Sequence, residues 1–122
     1  MLSNFFSRFV GVLAMELHCA VQNYAWGKLG TSSLVAQLSK ANPSVEIKEE
    51  VPYAELWMGT HPSGPSKISG TSKLLLDFLT SNPDVLGVEE RKVFGVNLPF
   101  LFKSLSVAKA LSIQAHPAKV CW

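Results

Sequence analysis

Three proline-bearing breaks constrain this chain more than any other feature: Asn42–Pro43, the HPSGPS run at 61–66 and Asn82–Pro83. Proline carries no N–H and fixes φ, and it pushes the residue before it out of the helical region. Each break therefore ends whatever element precedes it, and only short elements fit between them. Residues 17–24 (LHCAVQNY) read as a strand ended by the Trp26–Gly27 pair. Residues 31–40 (TSSLVAQLSK) read as a short helix capped by Thr31 or Ser32, with Leu34, Val35 and Leu38 on one face. A strand opens at Pro52 and runs into the HPSGPS turn. Ser72 is expected to cap a second helix to Asn82–Pro83, burying Leu74, Leu75, Phe78 and Leu79. Two further strands are expected over 98–107 and 110–116. The expected fold class is mainly β with short helices.

At 122 residues the chain makes one domain at most, and 48% hydrophobic against 16% charged residues rules out a disordered composition. The net charge of +2 is spread along the chain, with no basic block to suggest nucleic acid. Cys19 and Cys121 form no C-x-x-C pair, which argues against a disulfide scaffold and for a reducing, cytoplasmic setting. The apolar run at 9–15 is too short to span a membrane. It is also short for a signal peptide, and no small-residue cleavage site follows. Residues 1–16 are read instead as an N-terminal extension, and Met15 as the favoured start.

The chemistry sits near the C-terminus. In a strand over 110–116 the period of two sends Leu111, Ile113 and Ala115 one way and Ser112, Gln114 and His116 the other. Imidazole is a common metal ligand and an amide oxygen a harder, weaker one, so Gln114 and His116 offer two adjacent ligands. On spacing alone such a pair is ordinarily just solvated. Lys103 lies inside the apolar run LPFLFKSLSV, where a lysine either snorkels to water or meets an anion such as a phosphate. His18 and His61 read as structural or surface groups.

Four ordered runs carry a family resemblance: CAVQNYAWGKLG at 19–30, PYAELWMGTHPSGPS at 52–66, LPFLFKSLSV at 98–107 and LSIQAHP at 111–117. Residues 17–119 resemble the N-terminal part of the type I phosphomannose isomerases, cupin-fold enzymes that interconvert mannose 6-phosphate and fructose 6-phosphate. The resemblance implies a zinc cofactor, a sugar phosphate substrate, and the opening part of a cupin-type, jelly-roll-like β-barrel that is incomplete here. It places Gln114 and His116 as the first two zinc ligands. Lys103 and Ser112 are implied to be catalytic and substrate-lining, and Trp26 and Glu55 to line the same cleft. The family draws its remaining ligands, a glutamate and a histidine, and a catalytic arginine from later segments. This chain departs from the pattern at 120–122 (VCW), so the expectation is a truncated chain with negligible turnover alone. Two other readings stand beside it. One is a non-catalytic fragment that binds the full-length isomerase or a sugar phosphate. The other is a different metal-binding cupin module drawing on His18, His61 and Glu55.

Overall fold

The computed structural model describes residues 14–113. In chain order the strands are β1 (Leu17–His18), β2 (Ala20–Gln22), β3 (Lys28–Leu29), β4 (Pro52–Tyr53), β5 (Glu55–Met58), β6 (Lys67–Ile68) and β7 (Phe102–Leu105). The helices are α1 (Leu34–Ser39), α2 (Leu75–Ser81) and α3 (Val88–Phe94), with 3₁₀ turns at Gly30–Ser32 and Pro83–Val85. The fold is mainly β with short helices, as the breaks predict.

All pairing among the described residues is antiparallel. Sheet β2-β5-β7 is flanked by the two-stranded pairs β1-β6 and β3-β4. The strand expected over 17–24 is thus two strands that part at Cys19 and join different sheets. The strand expected over 98–107 narrows to Phe102–Leu105, and no strand forms over 110–113. Alternation alone did not supply a partner there: Leu111 and Ile113, expected to face inward, are exposed. Residues 114–116, with Gln114 and His116, lie outside the described residues.

The core forms where α1 packs on one face of the central sheet. Val35, Ala36, Tyr53 and Leu56 are buried together, with Cys19, Val21, Ile47 and Val51 packed against them. Burial of one such aliphatic side chain contributes roughly 1.5–3 kcal/mol. Tyr53 satisfies its phenol at the edge of this cluster: its hydroxyl accepts from the Lys48 N–H at 2.9 Å and donates to the Glu46 carbonyl at 3.3 Å.

The buried face of α1 differs from the expected one. Val35, Ala36 and Ser39 are buried, whereas Leu34 and Leu38 are about half exposed. The cap is Ser33, not Thr31 or Ser32: its hydroxyl accepts from the Ala36 N–H at 3.3 Å and donates to the Tyr53 carbonyl at 2.7 Å. Thr31 and Ser32 are taken by the 3₁₀ turn, where the Glu49 carboxylate accepts from both the N–H and the hydroxyl of Thr31 at 3.1 Å. Gly30 makes this turn possible. Its φ is +46°, and a Cβ there would meet the Glu49 Cα at 2.6 Å.

Helix α2 buries Leu75 and Leu79, with Leu74 and Phe78 partly covered. Leu74 occupies its N-cap position, so Ser72 is not the cap. Asn82 stops it as expected, and Pro83 opens the following 3₁₀ turn. Helix α3 has no counterpart among the sequence expectations because it buries nothing. It is held by local charge. Glu89 and Glu90 stand in its first turn, Lys92 pairs with Glu89 at 2.8 Å, and Arg91 pairs with Asp84 at 2.7 Å.

Candidate functional site

The site lies on the face of the central sheet opposite the core. Alternation along β5 sends Leu56 to the core and Glu55 and Trp57 to the other side. The register sets Gln22 and Leu105 opposite Glu55, and Ala20 and Lys103 opposite Trp57. Three separate stretches of sequence therefore bring Gln22, Glu55, Trp57 and Lys103 onto one face.

Glu55 is the unusual member, a carboxylate only 7% exposed. A buried carboxylate has to be paired or hydrogen-bonded. Glu55 is both. Its Oε2 accepts from the Trp57 indole N–H and from Lys103 Nζ, the latter at 3.2 Å. Lys103 Nζ also lies 4.9 Å from the centroid of the Trp57 ring, a cation–π contact. The anion that Lys103 meets is thus internal, while 37% of its side chain remains exposed to a ligand. Gly64 closes down on the same patch, since a Cβ there would lie 2.8 Å from Gln22 Nε2 and 3.1 Å from Trp57 Cε3. The arrangement offers an anion-binding ammonium and a proton-accepting carboxylate side by side, on strands rather than on loops.

Of the residues singled out from the sequence, Glu55 and Lys103 are therefore brought into contact. Trp26 takes another partner: its ring stacks on Tyr24 at 5.8 Å, and its carbonyl accepts from the Ala108 N–H at 2.9 Å. Ser112 is exposed in the segment beyond β7. His18 Nε2 is bonded to the Ser69 hydroxyl at 3.2 Å, on the separate β1-β6 pair. His61 sets its ring edge-on to Trp57 at 5.0 Å, and its Nδ1 accepts from the Ser63 N–H at 3.1 Å. His61 also borders a cleft of about 370 Å³ that Thr60, Asn97 and Phe100 help to line. Trp57 was missed by the sequence reading. The available signal was its i, i+2 spacing from Glu55 within β5, which puts both on one face.

Among the described residues no group of three or more His, Cys, Asp or Glu side chains converges as a metal site. The reading that assembled a site from His18, His61 and Glu55 therefore finds no such cluster. No helix among them is long and apolar enough to cross a membrane.

The profile of phosphomannose isomerase type I, catalytic domain, matches residues 14–121. Mannose-6-phosphate isomerase 2 of Arabidopsis thaliana is 52% identical over 113 residues, covering 85% of this chain and 26% of its own length. Mannose-6-phosphate isomerase of Homo sapiens is 53% identical over 107 residues, covering 84% and 25% respectively. Among solved structures, a mannose 6-phosphate isomerase bound with zinc and yttrium aligns with a TM-score of 0.66 at 40% identity, over 84% of this chain and 25% of that one. The apo form of the Salmonella typhimurium enzyme aligns with a TM-score of 0.63 at 39% identity, over 84% and 24%. The chain spans about a quarter of the length of the curated relatives it matches.

Proposed function

Because the chain belongs to the type I phosphomannose isomerase family, we propose that it carries the opening part of a site that interconverts mannose 6-phosphate and fructose 6-phosphate. The observation that carries this reading is the Glu55–Lys103 pair, a charged couple at 3.2 Å with its carboxylate buried and its ammonium partly exposed. In this reading the central sheet contributes to a cupin-type, jelly-roll-like barrel, and residues 17–119 form the N-terminal part of its catalytic domain.

An aldose–ketose exchange moves a proton between neighbouring carbons of the open-chain sugar, and negative charge develops on the adjacent oxygens. Lys103, with Ser112, binds and orients the sugar and its phosphate. The Lys103 ammonium supplies positive charge where the substrate's is negative. Glu55 holds Lys103 in place and, with Trp26, lines the cleft. Zinc suits the two donors proposed for it, the Gln114 amide oxygen and the His116 imidazole. When bound it supplies Lewis acidity toward a sugar oxygen. These two residues make up only part of a catalytic zinc's usual set of three protein ligands. Turnover by this chain alone is accordingly proposed to be negligible, and ligand binding is the readout that tests its own residues.

The test is a titration of the ¹⁵N-labelled chain with mannose 6-phosphate, followed by NMR. The expected result is saturable perturbation at Glu55, Trp57 and Lys103 that disappears in Lys103→Met. A Lys103→Met variant that is folded and binds the sugar phosphate as tightly as the parent would refute the assignment. A parallel assay for fructose 6-phosphate formation with added zinc checks turnover, and any activity found should vanish in His116→Ala.

A further inference from the structure

The Glu55–Lys103 pair has a third member with no role in the reading above. We propose that Trp57 is a positioning residue: its indole holds the Lys103 ammonium and the Glu55 carboxylate in the arrangement that receives an anionic sugar phosphate. The inference rests on the sugar phosphate reading and names the group that makes the site ready for such a ligand.

Trp57 touches both partners at once. It stands directly across from Lys103 in the β5–β7 register, and its ring face lies under Nζ at 4.9 Å. Its N–H donates to Glu55 Oε2, the same oxygen that takes Lys103 Nζ at 3.2 Å. One oxygen thus collects two donors, which divides its hold on the ammonium between them. An ammonium has three N–H donors. A ring face attracts the charge without offering a lone pair, so donors are left over for a phosphate or hydroxyl oxygen.

The ring is itself fixed. Trp57 is 7% exposed, His61 packs edge-on against it at 5.0 Å with planes 79° apart, and Gly64 lies close to it, a Cβ there falling 3.1 Å from Trp57 Cε3. A lysine on a flexible four-carbon stem loses much rotamer freedom when it is held. Confinement by a rigid ring puts that loss in the folded state, before a ligand arrives.

The experiment uses the whole chain and two readouts. The first is the chemical shift of the Lys103 ε-methylene protons, which the indole ring current moves upfield. The upfield shift is expected in the parent chain, to persist in Glu55→Gln, and to vanish in Trp57→Leu. The second is the affinity for mannose 6-phosphate, expected to fall about tenfold in Trp57→Leu and about threefold in Trp57→Phe, which keeps a ring face but loses the N–H. A purely structural role would lower the melting temperature without separating these variants in affinity. The proposal is overturned if Glu55→Gln abolishes the upfield shift, because the carboxylate alone would then hold Lys103. It is overturned equally if either folded Trp57 variant binds as tightly as the parent. Should Trp57→Leu fail to fold, Trp57→Phe and Glu55→Gln decide the matter. If the parent shows the upfield shift but takes up no mannose 6-phosphate, the sugar phosphate reading fails while the ring's hold on Lys103 stands.

Discussion

Burial of Glu55 makes its two donors a matter of stability as well as of binding. Its side chain is 10% exposed and that of Lys103 37%. The pair is thus close to a surface ion pair on one side and a buried one on the other. A double-mutant cycle with Glu55→Gln and Lys103→Met, followed by urea unfolding, should return a coupling of about 1 kcal/mol. Lys103→Met should be the more costly single change, because it leaves a buried carboxylate with fewer donors. A coupling indistinguishable from zero would mean the pair is decorative. Cys19 supplies a second test. Burial pushes its thiol above the ordinary value of 9.0, and a hydrogen bond with Ser66 opposes that rise. Burial favours the neutral thiol, so the folded chain holds this proton more tightly than the unfolded chain. The resulting stability is fully present below pH 9.0 and is lost as pH climbs from there through the raised value. The stability difference between the parent and Cys19→Ala should shrink over that range, and a constant difference would contradict the burial. At this scale the sequence was half legible. A lysine among LPFLFKSLSV reads by default as snorkelling to water, with an anionic partner as the alternative, and the structure gives it such a partner. The partner lies 48 residues away, and no local pattern points to it.

Elements were legible where a proline or an amphipathic face fixed them, and illegible where a third strand or a tertiary bond decided. The break at Asn82–Pro83 ended α2 as expected, and Leu75 and Leu79 are buried as the period requires. The α1 cap was misplaced because Thr31, Ser32 and Ser33 are equivalent on propensity alone. The choice is made by the Tyr53 carbonyl, which only Ser33 reaches, at 2.7 Å. Ser33→Ala should therefore cost about 1–2 kcal/mol, a lost cap plus a buried carbonyl left without its donor. Thermal unfolding beside Ser32→Ala, which should cost less, measures it; equal losses would mean the cap is shared. Helix α3 stayed invisible for the opposite reason, having no buried stripe to read. Val93 on it is 72% exposed, and Val93→Ala should change stability by less than about 0.5 kcal/mol. A larger loss would place Val93 against a surface that the described residues do not provide.

For the whole molecule, the central sheet has unequal cover on its core face. Helix α1 has six residues and packs against β5 and β7. It shelters Val21 and Leu56. Phe102 on β7 points to the same face as Leu56 by alternation but is 62% exposed, and the neighbouring Phe100 is exposed too. No sequence pattern reveals this, because a phenylalanine in an alternating strand reads as core until the cover over each position is known. Exposed aromatic residues grouped on and beside a strand favour association. The chain should accordingly self-associate as its concentration rises, and Phe102→Lys should suppress this. Removing a mostly exposed ring forfeits little burial, so the variant's unfolding free energy should stay within about 0.5 kcal/mol of the parent's. Sedimentation velocity over a concentration series, paired with urea unfolding, separates the two effects. If Phe102→Lys unfolds much more easily while associating as before, the ring is part of the core. If association falls at unchanged stability, the uncovered end of this face is the contact surface, and the Glu55–Trp57–Lys103 face opposite remains available to a ligand in either assembly state.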